Sequence, residues 1–362
     1  MKKWDYSLLT FYKFIDISEP KHQVIIQKKF LNEIWIKGRI YIGTEWISAT
    51  ISGNNSQLWA YRQFLNQSEY FANIYDIDTK ASHNLTSHAF DDMKVKYREE
   101  IVVLGHKFTA DQIHKNEKIL DIQKFKQMID TEDPNWLIRD MRNDYEWRLW
   151  HFKNAIASGT INFKSVKNFI NKYKKIFAGK NVVMYCTGGI RCTKLSALLA
   201  KEGMQNIYAL DGWVVKYINF YDDGNWLGNL YVFDNRVSQY IGSKLTHTTI
   251  GICNYSQELT DHCENCRYSL CNARLICKTK RFHKYMWFCS YECYQKSKSN
   301  FRIKNTNWDK YNYQQIRDNI SIDSNLIHKY QIMVSNYLDS RLADLTRKHR
   351  TSQKEDYIDC NC

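Results

Sequence analysis

Asn181 to Tyr185 reads NVVMY, an apolar run with Gly179 just before it and the Gly188-Gly189 pair just after. A short run without alternation is the pattern of a strand buried on both faces, as in parallel sheets covered by helices. Beyond it Leu195, Leu198 and Leu199 recur at helical spacing and Gly203 marks a stop. Asn206 to Leu210 is a further strand and Trp136 to Asp140 an earlier one. Between them Phe163, Val166, Phe169, Ile170, Tyr173, Ile176 and Phe177 fall at helical spacing. Residues 118–224 are therefore predicted to form an α/β domain, in which sites gather at the C-terminal ends of strands. Cys186 stands at such an end.

The preceding residues, 1–117, follow a different pattern. A strand is expected over Ser7 to Ile17, a helix from Glu19-Pro20 to about Glu33, and strands over Gly38 to Gly43 and Ile47 to Ser52. A helix from about Ser56 to Gln67 and extended segments over Ile74 to Thr79 and Met93 to Leu104 complete the series. The order β-α-β-β-α-β predicts a ferredoxin-like (acylphosphatase-like) domain, which by itself decides no function. Residues 225–295 are rich in cysteine, and 296–362 form a basic linker followed by a helix expected from Asn325 to about Arg347. The fold class is thus α+β joined to α/β, with a Cys-rich C-terminal extension.

No segment approaches the roughly 20 unbroken apolar residues of a membrane span, and the apolar stretch after Met1 is interrupted by Asp5, Lys13 and Asp16. A cytoplasmic location is expected. The net charge of +14 suits a polyanionic partner such as RNA, although the abundance of Lys, Asn, Ile and Tyr beside 14 Gly and 2 Pro also fits an AT-rich genome. Seven of the eleven cysteines lie between Cys253 and Cys293, and Cys186 and Cys192 share one short loop. That clustering reads as catalysis and metal binding before disulfides.

The loop CTGGIRC comprises Cys186, Thr187, Gly188, Gly189, Ile190, Arg191 and Cys192. Its glycines let successive N–H groups curl around the Cys186 sulfur as a nest. The helix start near Cys192 adds partial positive charge and Arg191 a full one, which favours a thiolate at neutral pH. Cys192 is the second candidate, as nucleophile or resolving thiol. Cysteine-dependent phosphatases place five residues between Cys and Arg, whereas Cys186 and Arg191 have four between them. The smaller loop favours a sulfane sulfur over a phosphate ester. Asp140 and Arg142, at a strand end, are read either as supports of this loop through charge-assisted bonds or as a surface pair of little value.

The motifs TFYKF (Thr10 to Phe14), GRIYI (Gly38 to Ile42), DMRNDYEW (Asp140 to Trp147), MYCTGGIRC (Met184 to Cys192) and VFDNR (Val232 to Arg236) resemble the bacterial rhodanese-containing tRNA uridine hydroxylases. The resemblance covers residues 8 to 293. It implies a central rhodanese domain, a persulfide-carrying catalytic Cys186, tRNA as partner, and dioxygen as co-substrate in hydroxylation of the wobble uridine to 5-hydroxyuridine. No flavin, haem or two-His-one-carboxylate pattern stands out, so no cofactor is identified. A rhodanese-type sulfurtransferase and a non-catalytic tRNA-binding homologue are the alternatives.

Four positions at which that family usually carries glycine hold Trp46, Trp150, Trp213 and Trp287. An indole there is expected to cost several kcal/mol wherever the backbone has positive φ. Cys263-x2-Cys266 and Cys289-x3-Cys293 form the pattern of a structural zinc site, while the family's further cysteine positions hold Ser256, Thr260, Lys278, Arg281 and Phe288. His262 and His283 read as surface residues. Lys296, Lys298, Arg302 and Lys304, with Arg347, Lys348 and Arg350, are either contacts for tRNA phosphates or a solvated tail.

Overall fold

The computed structural model describes residues 6–72, 80–231, 238–239 and 249–300, apart from 86, scattered positions within 161–176, and 222–223, 255, 269, 272 and 279–286. The helix expected after Asn325, the basic residues Arg302, Lys304, Arg347, Lys348 and Arg350, and His283 lie outside the described residues. The chain divides into two compact units, one of residues 1–131, 181–217 and 232–237, the other of 132–180, 218–231 and 238–362.

The first unit opens with β1 (Tyr6–Phe14), α1 (Pro20–Glu33), β2 (Lys37–Ile42), β3 (Trp46–Gly53), α2 (Asn55–Asn66), β4 (Lys80–Leu85) and β5 (Met93–Tyr97). The sheet order is β4-β1-β3-β2-β5. Its first four strands are antiparallel neighbours, the ferredoxin-like arrangement expected, and β5 joins β2 in parallel at the edge. Register places Phe11 and Ile40 on either side of Ala49, and Leu9 beside Ile51. These residues, with Ile42 and Ile47, bury one face of the sheet under Leu31, Leu58, Tyr61, Leu65 and Phe71. Each such side chain contributes about 1.5–3 kcal/mol by leaving water. Pro20 sits at the start of α1, and α2 opens in a capping box between Asn54 and Gln57.

Two strand expectations change. The extended segment over Met93 to Leu104 ends at Tyr97, because the Glu100 carboxylate accepts from the amides of Leu104 and Gly105 and turns the chain out of the sheet. β4, KASHNL, lies outside the expected strands, since its mostly polar residues carry no alternation.

After α3 (Ala110–Lys115), β6 (Ile119–Leu120) and α4 (Ile122–Thr131), the unit resumes with β7 (Asn181–Tyr185), α5 (Ile190–Lys201) and β8 (Ile207–Leu210). β8 lies between β6 and β7, parallel to both. Val182, Val183, Met184 and Tyr185 are fully buried, as the NVVMY run requires.

In the second unit, the strand Trp136–Asp140 leads to the helix Asp144–Leu149, and Trp150–Phe152 pairs antiparallel with Trp226–Gly228. Its Cys-rich part is a hairpin of Cys263–Asn265 and Arg274–Ile276 followed by the helix Tyr291–Asn300.

Candidate active site

The last residue of β7 delivers Cys186 to the C-terminal edge of the parallel strands, directly before the helix α5. The turn between them needs glycine at one position above all. Gly189 has φ 82, and a Cβ there would meet the Trp213 indole at 1.7 Å. With that geometry the Gly189 amide donates to the Cys186 Sγ at 3.0 Å, and the Gly189 carbonyl accepts from Thr193 to open the helix.

Cys186 is wholly buried. Burial alone would raise its pKa, but the hydrogen bond from Cys192, the Arg191 charge and the amides of Arg191 and Cys192 outweigh it and bring the thiol from 9.0 down to about 5. The nest read from the sequence is thus present, with amides at 189, 191 and 192 on one sulfur. Cys192 is buried and acts as a donor to Cys186. Thr187, Gly188, Ile190 and Arg191 are half-buried, and a Cβ on Gly188 would meet open space.

The first domain supplies further walls. Tyr12 from β1 packs on Trp213 with ring centroids 5.4 Å apart, and its hydroxyl lies 3.3 Å from Thr193 Oγ1, which donates to Glu117 at 2.6 Å. Burial pushes the Tyr12 phenol well up, eased by the Thr193 bond and reinforced by the charges of Glu117, Cys186 and Cys192, so it is neutral. Lys194, two residues past Cys192, is fully buried and paired with Glu45 and Glu100. The other Glu45 oxygen accepts from the Phe108 amide at 3.1 Å. This buried ion group fastens α5 to the first domain.

Three family models cover most of the chain: the UPF0176 acylphosphatase like domain matches residues 6–101, the Rhodanese-like domain 121–219, and the Rhodanase C-terminal domain 227–294. A tRNA uridine(34) hydroxylase of Staphylococcus epidermidis is 33% identical over 313 residues, covering 84% of this chain and 95% of that protein. One of Bacillus velezensis is 33% identical over 290 residues, covering 80% and 88%. The chain belongs to the tRNA uridine(34) hydroxylase family.

In this member of the tRNA uridine(34) hydroxylase family, Asp140 and Arg142 do not form a surface pair. Both are fully buried, with Arg142 Nη2 donating to Asp140 Oδ2 at 2.6 Å and to the Trp150 carbonyl, and Nε donating to both Asp140 oxygens at 3.0 Å. Their motif continues to Asp144, itself buried. Burial raises the Asp144 carboxyl, Arg148 opposes, Asp140 adds to the rise, and the result is about 7.

The tryptophans at the family's glycine positions divide in two. Trp213 and Trp287 have φ 55 and 64, the left-handed region in which an indole is strained. Trp150 is extended at φ −170, and Trp46 opens β3, so neither requires glycine by conformation.

The four-thiolate set expected from Cys263, Cys266, Cys289 and Cys293 is also corrected. The sulfurs that come together are those of Cys266, Cys271, Cys289 and Cys293. An extended strand turns residues three apart to opposite faces, so Cys263 points away from Cys266, whereas the hairpin turn brings Cys271 back. Burial, opposed by Arg274, leaves Cys263 a thiol with its pKa pushed up to about 12. His262 lies beside Glu264 at the surface, as expected.

Proposed function

We propose that this chain hydroxylates C5 of the wobble uridine of tRNA, giving 5-hydroxyuridine, with Cys186 as the catalytic residue. The observation that carries the reading is the intact loop: a cysteine held ionised by three amides and Arg191 in a chain whose relatives of near-full length are named tRNA uridine(34) hydroxylases. The thiolate attacks the outer sulfur of a sulfane donor such as thiosulfate, the donor's S–S bond breaks with sulfite leaving, and the terminal sulfur of the resulting persulfide, also an anion, is stabilised by the same amides of Gly189, Arg191 and Cys192. Arg191 balances its charge, and Thr187, Gly188 and Ile190 form the half-buried rim through which the substrate base reaches it. Dioxygen is the co-substrate: one of its atoms becomes the hydroxyl oxygen and the other leaves as water, with two electrons and two protons drawn from an external reductant.

Asp140 and Arg142 are positioning residues: a buried pair joined by three side-chain hydrogen bonds fixes the strand end from which DMRNDYEW departs. The net charge of +14 supports tRNA as the partner and predicts salt-dependent binding. Among the described residues no helix is long and apolar enough to cross a membrane, which is compatible with work in the cytoplasm.

The experiment is nucleoside mass spectrometry of tRNA from a host lacking its own hydroxylase and carrying this gene. Restored 5-hydroxyuridine with the wild-type gene and none with Cys186→Ser is expected. Folded wild-type protein without product refutes the reading, and thiocyanate formation from thiosulfate and cyanide in its place assigns a sulfurtransferase.

A further inference from the structure

The Cys-rich hairpin carries a side-chain group that the proposed reaction does not use. The sulfurs of Cys266, Cys271, Cys289 and Cys293 all lie within 4.8 Å of one another. Cys271 and Cys289 are 3.6 Å apart, Cys289 and Cys293 3.4 Å, and all four are free thiols. A tetrahedral ion with bonds of about 2.3 Å to sulfur sets its ligands about 3.8 Å apart, close to these separations.

Two independent elements converge to make the group. Cys266 directly follows the strand Cys263–Asn265, and its amide donates to the Ala273 carbonyl across the hairpin, so that Cys271 in the turn faces it. Cys289 and Cys293 flank the start of the helix Tyr291–Asn300, and the Cys289 amide donates to Cys266 Sγ at 3.5 Å, the kind of contact that orients a metal-bound sulfur. Among the described residues, the surrounding buried cluster has Tyr268, Leu275, Phe288 and Tyr294 beside its cysteines, with Ala273 and Trp287 partly buried against it. A core that small needs a staple.

We propose that Cys266, Cys271, Cys289 and Cys293 bind one Zn²⁺ as a closed structural site. On binding, each thiol loses its proton to solvent and four Zn–S bonds form, with no change of oxidation state. Sulfur donors exclude Mg²⁺ and Ca²⁺. The site fixes the hairpin to the helix. Cys253 and Cys277, buried and 3.5 Å apart, and Cys263 remain outside it.

Elemental analysis of the full chain, purified under reducing conditions, is expected to find one zinc per chain. Cys271→Ser and Cys289→Ser should lose it, and Cys253→Ser and Cys263→Ser should keep it. Should the first two variants fail to fold, titrating the wild type with a mercurial thiol reagent reads the same point, since zinc release should track modification of these thiols. A wild type without metal, bound iron in place of zinc, zinc retained in the Cys271→Ser Cys289→Ser double variant, or zinc lost from folded Cys263→Ser overturns the assignment. None of these outcomes depends on the chemistry of Cys186.

Independently, the backbone singles out tryptophan. Six non-glycine residues among those described have left-handed φ, and three of them are Trp35, Trp213 and Trp287. Bulky side chains are rare in that region, and glycine is its ordinary occupant. Trp35 follows α1 at the position where helices usually end in glycine, yet it is 78% exposed, so packing does not hold it there. The chain has 11 tryptophans beside only 14 glycines.

We infer that these are glycine positions and that the chain made in its own cell carries glycine at all three. The codon UGA, one base from both the tryptophan codon UGG and the glycine codon GGA, provides the route when a cell decodes it as glycine. Peptide mass spectrometry of the protein isolated from its own cells decides: glycine at 35, 213 and 287 is expected, and tryptophan at any of them overturns the inference.

Discussion

Cys186 has no exposed surface, and a buried thiol left to itself would hold its proton beyond neutral pH. The donors around it reverse that outcome. Arg191→Ala is therefore expected to move its titration back toward 9.0, and Cys192→Ala further than Cys192→Ser, since serine keeps a donor; the thiolate's ultraviolet absorbance against pH checks both. Because the folded pKa lies below the unfolded one, the thiolate adds stability at pH above 9.0 that fades as pH falls toward about 5. Asp144 has the opposite sign. Its folded pKa, near 7, exceeds the ordinary 3.8, so the stability it provides is complete below 3.8 and is lost as pH rises to 7. Asp144→Asn is expected to flatten stability across that window in urea denaturation at several pH values; an unchanged slope would contradict the burial argument.

Between elements, Lys194 matters most. It stands fully buried on α5, paired with Glu45 and Glu100 from the first domain. Lys194→Met leaves the buried Glu45 carboxylate and the partly buried Glu100 without their cation and is expected to destabilise the chain by about 3–5 kcal/mol, read by denaturant midpoint. Removing one of the two carboxylates with Glu45→Gln in the same chain should recover part of that loss. The helix α1 was legible because a Pro20 start is a local signal, whereas the Asn54-to-Gln57 box that opens α2 lies just before the start expected at about Ser56. β4 was not legible, since an edge strand of mostly polar residues leaves only its backbone pairing with β1 as evidence, and pairing is not written in a single segment.

At the scale of the whole molecule, the ferredoxin-like sheet and the buried parallel strands followed from element order and apolar runs. The nest at 186–192 was legible because all its donors lie in one contiguous loop. Tyr12, Glu45 and Glu100 were invisible as site residues, as they reach Thr193 and Lys194 from 181, 149 and 94 positions away in sequence. Three of the four clustered cysteines, Cys266, Cys289 and Cys293, were legible in the sequence, but choosing Cys271 over Cys263 required knowing where the hairpin turns. Replacing Cys186 by serine is expected to abolish hydroxylation while leaving the fold intact by circular dichroism. The most direct test is the difference in thiolate absorbance between wild type and Cys186→Ser, followed from acid to alkaline pH. A midpoint near 5 is expected; a midpoint near the ordinary 9.0 would contradict the account.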